Sequence, residues 1–229
     1  MPRTIQFEVA TFNQFIQDIR IPFDALRESR RLGSAMNVWR TAQLNRDELR
    51  YSAVLAWLLD CREDHGQGHD ILVRLLDRLE TKKHRTSLTT RSFPTSGDVQ
   101  QGRYWTMVEN LPMGERDSRV DIQIENDAFL FFIEVKIDAA ETNYQLDRYL
   151  ARGERLAGKR PWGVLYLTTH GFGPLTNDTV KRTATDHANL AFISWKEIAT
   201  ILREHVSGLP QRAFSRHALS QYAELVSNL

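Results

Sequence analysis

The amino-acid sequence predicts an α/β domain, a mixed sheet with helices on both faces. Three stretches carry that expectation. Residues 120–137 alternate apolar and polar on either side of Asn126-Asp127, the pattern of a half-buried hairpin. Glu141 to Ala157 then reads as a helix. Trp162 to Thr169 (WGVLYLTT) is almost wholly apolar, as expected of a central strand covered on both faces. A hairpin, a crossover helix and a buried strand in that order make the sheet a mixed one.

Composition restricts the rest. With 229 residues the chain is long enough for one large domain with a good core, or for a core domain with a helical extension. Thirty Lys and Arg against 29 Asp and Glu leave a net charge of +1, so any nucleic-acid contact has to come from local patches. The single cysteine, Cys61, excludes an internal disulfide and fits a reducing cytoplasm. No stretch resembles a signal peptide and no apolar run is long enough to cross a bilayer, so no membrane partner is expected.

Residues 1–44 read as a helical extension. Thr11 caps a helix carrying Phe12, Phe15, Ile16 and Ile19, and Pro22 opens a second with Phe23, Leu26 and Arg27. Arg20, Arg27, Arg30 and Arg31 make this region locally basic, either a solvated helix face or a DNA contact. Asn45-Arg46-Asp47-Glu48 has the form of a capping box with Asn45 at the cap. The helix it opens runs to about Asp60 and buries Leu49, Ala53, Ala56 and Trp57.

His65-Gly66-Gln67-Gly68-His69 holds two histidines, but its glycines make it a turn, and the histidines do not share the helical face that a zinc pair needs. A helix from about Gly68 to Glu80 has the stripe Ile71, Leu72, Leu75, Leu76 and Leu79. Thr86 to Phe93 and Arg103 to Glu109 read as strands with a polar loop between them, Glu109 either ending near the hairpin's charged face or serving as a strand-end charge. After the central strand, 171–187 reads as a loop and Leu190 to Ile193 as a last strand. Ser194-Trp195-Lys196-Glu197 repeats the capping box and opens a helix to about Val206, and a terminal helix starts near Pro210.

The hairpin carries the candidate chemistry. Val120, Ile122 and Ile124 alternate with Asp121, Gln123 and Glu125 on the outgoing strand. On the returning one Phe129, Phe131, Ile133, Val135 and Ile137 alternate with Glu134 and Lys136. A two-residue turn at Asn126-Asp127 pairs Glu125 with Ala128, which sets Asp121 opposite Phe132 and diagonal to Glu134 on one face. A charge inside so apolar a run as that around Lys136 is costly unless it is paired or functional. Two carboxylates close together repel unless an ammonium or a divalent cation compensates them. Mg²⁺ takes one or two carboxylates and fills its octahedron with waters and substrate phosphate. Asp121 and Glu134 are candidate ligands, and Lys136 is the candidate to position or deprotonate an attacking water. On the following helix Gln145 and Tyr149 share a face, while Arg148, Arg152, Arg155, Lys159 and Arg160 form a cluster suited to a phosphate backbone. Tyr149 also has a plain packing reading, against the sheet with Leu146 and Leu150.

Asp121 followed by Glu134-Val135-Lys136 resembles the D…(D/E)xK signature of the PD-(D/E)XK nuclease superfamily, with Val120 where the naming proline would stand. Gln145 to Tyr149 is similar to the QxxxY motif of its RecB-type branch, and Ser118-Arg119-Val120-Asp121 to that branch's GRxD strand. Glu48, SAVLAWLLD and HGQG resemble the amino-terminal helices of an uncharacterised bacterial branch. The resemblance implies a restriction-endonuclease-like core over residues 45–229, behind the extension 1–44. It implies a Mg²⁺-dependent nuclease cutting DNA, with Mn²⁺ able to substitute, in bacterial defence against foreign DNA. Asp121, Glu134, the Val135 carbonyl and Glu48 would bind metal, with Lys136 catalytic. Gln145, Tyr149, Arg148 and Arg152 would bind substrate. Glu48 therefore has two readings, a cap partner or a metal carboxylate. RNA cleavage, a binding module that does not cut, and a homodimer all remain open.

Overall fold

Residues 9–33, 36–84, 93–110, 120–138, 145–173, 188–210 and 213–229 are described in the computed structural model. They divide into two compact units, 1–42 and 43–229. The first is built on α1 (Val9–Arg31), one helix with Pro22 in its interior, where two helices were expected. Thr11 lies within it rather than capping it. Phe12, Phe15, Ile16, Phe23 and Leu26 are exposed along it. Two of its four expected basic residues spend their charge on the helix itself, Arg20 with Asp24 and Arg31 with Glu28. A short α2 (Val38–Thr41) follows, capped by the Asn37 side chain.

The second unit holds a five-stranded sheet in the order β1 (Trp105–Asn110), β2 (Val120–Glu125), β3 (Leu130–Val135), β4 (Trp162–Thr168), β5 (Leu190–Ser194). β2 runs antiparallel to its neighbours β1 and β3, while β3, β4 and β5 run parallel, so the sheet is mixed. A parallel pair needs a crossover. Here α6 (Gln145–Ala157) supplies it between β3 and β4. Its Leu146, Tyr149, Leu150 and Ala157 pack on Leu130, Phe132, Val164 and Tyr166. Phe129 and Phe131 alternate with those strand residues and take Tyr104 and Phe93 edge-on.

The hairpin register differs from the expected one. Glu125 pairs with Leu130 and Ile122 with Ile133, and the chain turns through Asp127-Ala128. Asn126 sits one position before the turn proper, where its Oδ1 accepts from the N–H groups of Ala128 and Phe129 at 2.8 and 3.1 Å. An Asn at that position mimics a backbone turn with its own side chain. The two-residue slip leaves every side chain on its expected face. It moves Asp121 from diagonal to directly across from Glu134.

A second correction concerns α3 (Glu48–Leu59). Asn45 has φ of 50°, in the left-handed region, whereas an N-cap requires extended backbone. Asp47 has that backbone and caps the helix, its side chain accepting from Leu49 N and Arg50 N. The buried face moves accordingly to Tyr51, Ser52, Leu55, Ala56, Leu58 and Leu59, and Leu49 is exposed. In α4 (Asp70–His84) the expected stripe Ile71, Leu72, Leu75, Leu76 and Leu79 is buried.

The stretch taken as a loop before β1 contains a short α5 (Ser96–Gln100), with a capping box between Thr95 and Asp98. Residues 86–92 of the expected first strand lie outside the described residues, as do 141–144, 174–187 and Ser118-Arg119. Ser194 and Glu197 form the expected capping box of α7 (Trp195–Ser207), which packs on α8 (Phe214–Val226). Among the described residues no helix is long and apolar enough to cross a membrane.

Candidate active site

Continuing the ladder one step past the Ile122–Ile133 pair makes Asp121 and Glu134 cross-strand neighbours. Glu134 is fully buried. Its Oε1 accepts from Lys136 Nζ at 2.7 Å and from Gln145 Nε2 at 2.5 Å, and its Oε2 from the Tyr149 hydroxyl at 2.6 Å. Burial, and then the Asp121 charge, push the Glu134 carboxyl up to about 8, against the partial relief given by Lys136 and Tyr149. Burial also raises Asp121 above its ordinary value, although Val135 N–H donates to its Oδ2 at 2.8 Å. Burial alone would lower Lys136. Glu134, Asp121 and Glu48 together outweigh that and hold it above the usual lysine value, so Lys136 here is an ammonium donor.

Gln145 and Tyr149 meet Glu134 because α6 sets them one turn apart, with Gln145 Nε2 3.1 Å from the Tyr149 hydroxyl. Burial, joined by Glu134, drives the Tyr149 hydroxyl far up, so it stays neutral and donates. The same ring packs with Leu146 and Leu150, so its packing and polar roles coexist. Glu48 is the first residue of α3 rather than a cap partner, and its Oε1 accepts from Ile137 N–H at 2.7 Å.

The arginine cluster divides. Arg148, Arg155 and Lys159 are exposed. Arg152 is buried, donating to Gln123 Oε1 at 3.2 Å with its guanidinium 5.6 Å from the Phe132 ring centroid. Arg160 donates to Asn126 O at 2.6 Å and braces the hairpin turn. Arg152 and Arg160 therefore serve the fold, because long side chains on an inward helix face cover apolar surface and seek acceptors there. His65 bonds Asp60 O through Nε2 and accepts Gln67 N–H at Nδ1, so both of its ring nitrogens are engaged within the turn.

Three contacts had no sequence signal. Trp195, the first residue of α7, donates its indole N–H to Lys136 O at 3.3 Å. Lys136 N–H donates to Leu167 O at 2.8 Å. Arg46 holds Asp138 through both carboxylate oxygens. With Glu48 on Ile137, the segment bearing Lys136 is tied to α3, β4 and α7.

Among the described residues no three His, Cys, Asp or Glu side chains group closely enough to form a metal site by themselves. Two facing carboxylates are nonetheless the number a hard cation such as Mg²⁺ asks of a protein. Burial first and the Asp121 charge second raise Glu134, and a cation between the two carboxyls would offset both. Of Val135 the structure shows the N–H on Asp121.

A mixed sheet whose central hairpin carries this Asp, Glu and Lys, crossed by a helix that reaches back to the Glu, defines a restriction-endonuclease-like fold. The chain belongs to the PD-(D/E)XK nuclease superfamily, whose family model matches residues 36–224. Membership implies nuclease activity in general, and these nucleases generally use divalent metal ions. Among solved structures, the MspJI restriction endonuclease in complex with a 27-mer oligonucleotide is similar at 17% identity with a TM-score of 0.30, over 80% of this chain and 36% of that one. No curated protein matches.

Proposed function

We propose that this protein is a Mg²⁺-dependent nuclease that hydrolyses DNA phosphodiester bonds, in bacterial defence against foreign DNA. The observation that supports the reading is the state of Glu134. Glu134 is fully buried with Lys136 Nζ at 2.7 Å and Asp121 one step along the ladder across from it, and two carboxyls beside one ammonium leave a negative charge that a plain ion pair would not carry. A divalent ion held by Asp121 and Glu134 would supply Lewis-acid stabilisation of the phosphoryl oxygens and activation of water.

The chain's own groups do the rest. Lys136, kept protonated by its neighbours, is suited to stabilising charge that develops on the phosphate and to orienting the water rather than deprotonating it. Gln145 and Tyr149 donate to Glu134. They are positioning residues, which fix the carboxylate's orientation as outer-shell partners of metal ligands do. Glu48 orients the backbone at Ile137, next to Lys136. Arg148 on the exposed face of α6 is available to a phosphate backbone, and Arg152 is not.

The test is incubation of purified protein with Mg²⁺ and plasmid, linear duplex, single-stranded DNA or RNA, with EDTA and Asp121→Asn as controls. DNA cleavage lost in both controls is the expected result. Cleavage of RNA alone would move the substrate class. Absence of cleavage on every substrate would leave only nucleic-acid or protein binding on a nuclease fold.

A further inference from the structure

The described residues that follow β4 carry an aromatic pair that neither the core nor the chemistry above uses. Phe172 is 64% exposed. Its ring stacks on His170 with centroids 5.4 Å apart and planes at 15°. Residues 170–173 are held in place. Gly171 N–H donates to Thr168 Oγ1 at 2.8 Å, and Phe172 N–H to His170 Nδ1 at 3.2 Å. Gly171 has φ of +75°, and a Cβ there would lie 3.1 Å from Ser194 Cβ. A Cβ on Gly173 would lie 3.0 Å from the Phe192 ring. Two glycines thus lay the backbone flat on the end of β5, and Phe172 between them is presented to solvent.

These residues lie at the same edge of the sheet as Lys136. Leu167 pairs with Val135 and accepts the Lys136 N–H. Ser194, which Gly171 touches, precedes the Trp195 that donates to Lys136 O. His170 follows Leu167 by three residues, so their Cα atoms are at most about 11 Å apart. The carboxyl ends of parallel strands are where open α/β sheets gather their ligands.

A flat, exposed ring at the end of the sheet that carries the proposed nuclease site suits a nucleobase. Every base has a π face and stacks on aromatic side chains with little regard to sequence. Inside a continuous duplex, however, both faces of each base are already covered by its neighbours. The ring can therefore take only an unpaired base or one at a strand end. We propose that Phe172, backed by His170, is a stacking platform for an unpaired nucleobase of the strand that is cut, so that the protein acts on single strands or frayed ends in preference to continuous duplex. The choice of a nucleic-acid strand as ligand rests on the nuclease reading; the platform is tested by binding alone.

The experiment measures fluorescence anisotropy of a labelled single-stranded oligothymidylate and of a blunt duplex of equal length, with full-length protein in EDTA so that nothing is cut. Wild type should favour the single strand. Phe172→Ala and Phe172→Leu should each weaken single-strand binding roughly 5- to 150-fold, the worth of one base–aromatic stack. Phe172→Trp should restore it, with all three variants melting like wild type because the ring is exposed. No single-strand binding by wild type, or wild-type affinity in Phe172→Ala or Phe172→Leu, overturns the proposal. Binding through Phe172 without cleavage in Mg²⁺ removes the nuclease reading and keeps the platform. Cleavage and binding unaltered in Phe172→Ala do the reverse.

Discussion

Asp60, just past α3, and Glu134, inside β3, are 3% and 0% exposed, yet the fold treats their carboxyls in opposite ways. Burial pushes Asp60 up, but the Arg62 guanidinium at 2.7 Å and the N–H groups of Arg62 and Thr106 outweigh it and bring the carboxyl below its ordinary value. Glu134 also has a cation, Lys136, at 2.7 Å. Its burial is deeper and another carboxyl stands across from it, and these two together raise it to about 8. A carboxylate whose donors meet its needs ties a turn to a strand. One that faces a second carboxylate is a candidate for something the fold does not supply.

The contrast should show most strongly in activity. Lys136→Ala, which removes the cation on the Glu134 side, should lower single-turnover DNA cleavage on the order of a hundredfold or more while the thermal response to Mg²⁺ persists. Full activity in that variant would make Lys136 a structural counter-ion like Arg62 and dissolve the distinction.

Stability sharpens it next, in metal-free protein. Asp60→Ala strands the Thr106 and Arg62 N–H groups and should cost about 2 kcal/mol, a fall of roughly 4–8 °C in Tm for a chain of this size. Above about pH 8, where the Glu134 carboxyl has given up its proton, Glu134→Gln removes the repulsion with Asp121 and keeps groups able to bond Tyr149 and Gln145, so its Tm should match or exceed wild type. Equal losses by calorimetry would mean that both carboxylates are structural.

Mg²⁺ gives a smaller effect. At ten times its dissociation constant an ion that binds only the folded site adds about 1.4 kcal/mol, or roughly 3–6 °C. Asp121→Asn should lose most of that rise, since an amide is a poorer ligand for a hard cation. An undiminished rise in Asp121→Asn would move the metal away from the hairpin.

The finest comparison is with pH. The Glu134 carboxyl is raised in the folded state from 4.5 to about 8, so the folded protein holds a proton that the unfolded chain has released between those values. The stability from that proton is fully present below 4.5 and is lost as pH rises through about 8. Asp60 is lowered when folded, so its contribution is present above its ordinary value and lost toward acid. Metal-free denaturant midpoints at mildly acidic and mildly alkaline pH should therefore fall more steeply toward alkali in wild type than in Glu134→Gln. Parallel slopes would show that Glu134 is not the group titrating.

Much of this was legible in one dimension. Strand alternation assigned Asp121, Glu134 and Lys136 to one face, and because the period is two, even a register wrong by two residues kept them there. The apolar run 162–169 and the stripe of α4 reported burial directly, because a side chain with no polar atoms leaves few alternatives. The start of α3 was misread because Asn45 and Asp47 both suit a cap. The choice fell to backbone conformation, and Asn45 adopts φ of 50°. In the sequence Arg152 belongs to a cluster suited to a phosphate backbone, and nothing in its neighbours along the chain reveals that Gln123, 29 residues away, offers it an acceptor indoors.

By itself, then, the sequence determined which residues share a face and which runs are buried, since both follow from local periodicity. Only the tertiary structure decided that Asp121 stands across from Glu134 instead of diagonal to it, through the Asn126 side chain closing the turn. Only it decided that Glu48 reaches Ile137 and Trp195 reaches Lys136, contacts between residues 89 and 59 positions apart. Such contacts depend on how helices dock on the sheet, and docking is set by the packing of whole faces, which no short stretch of sequence encodes.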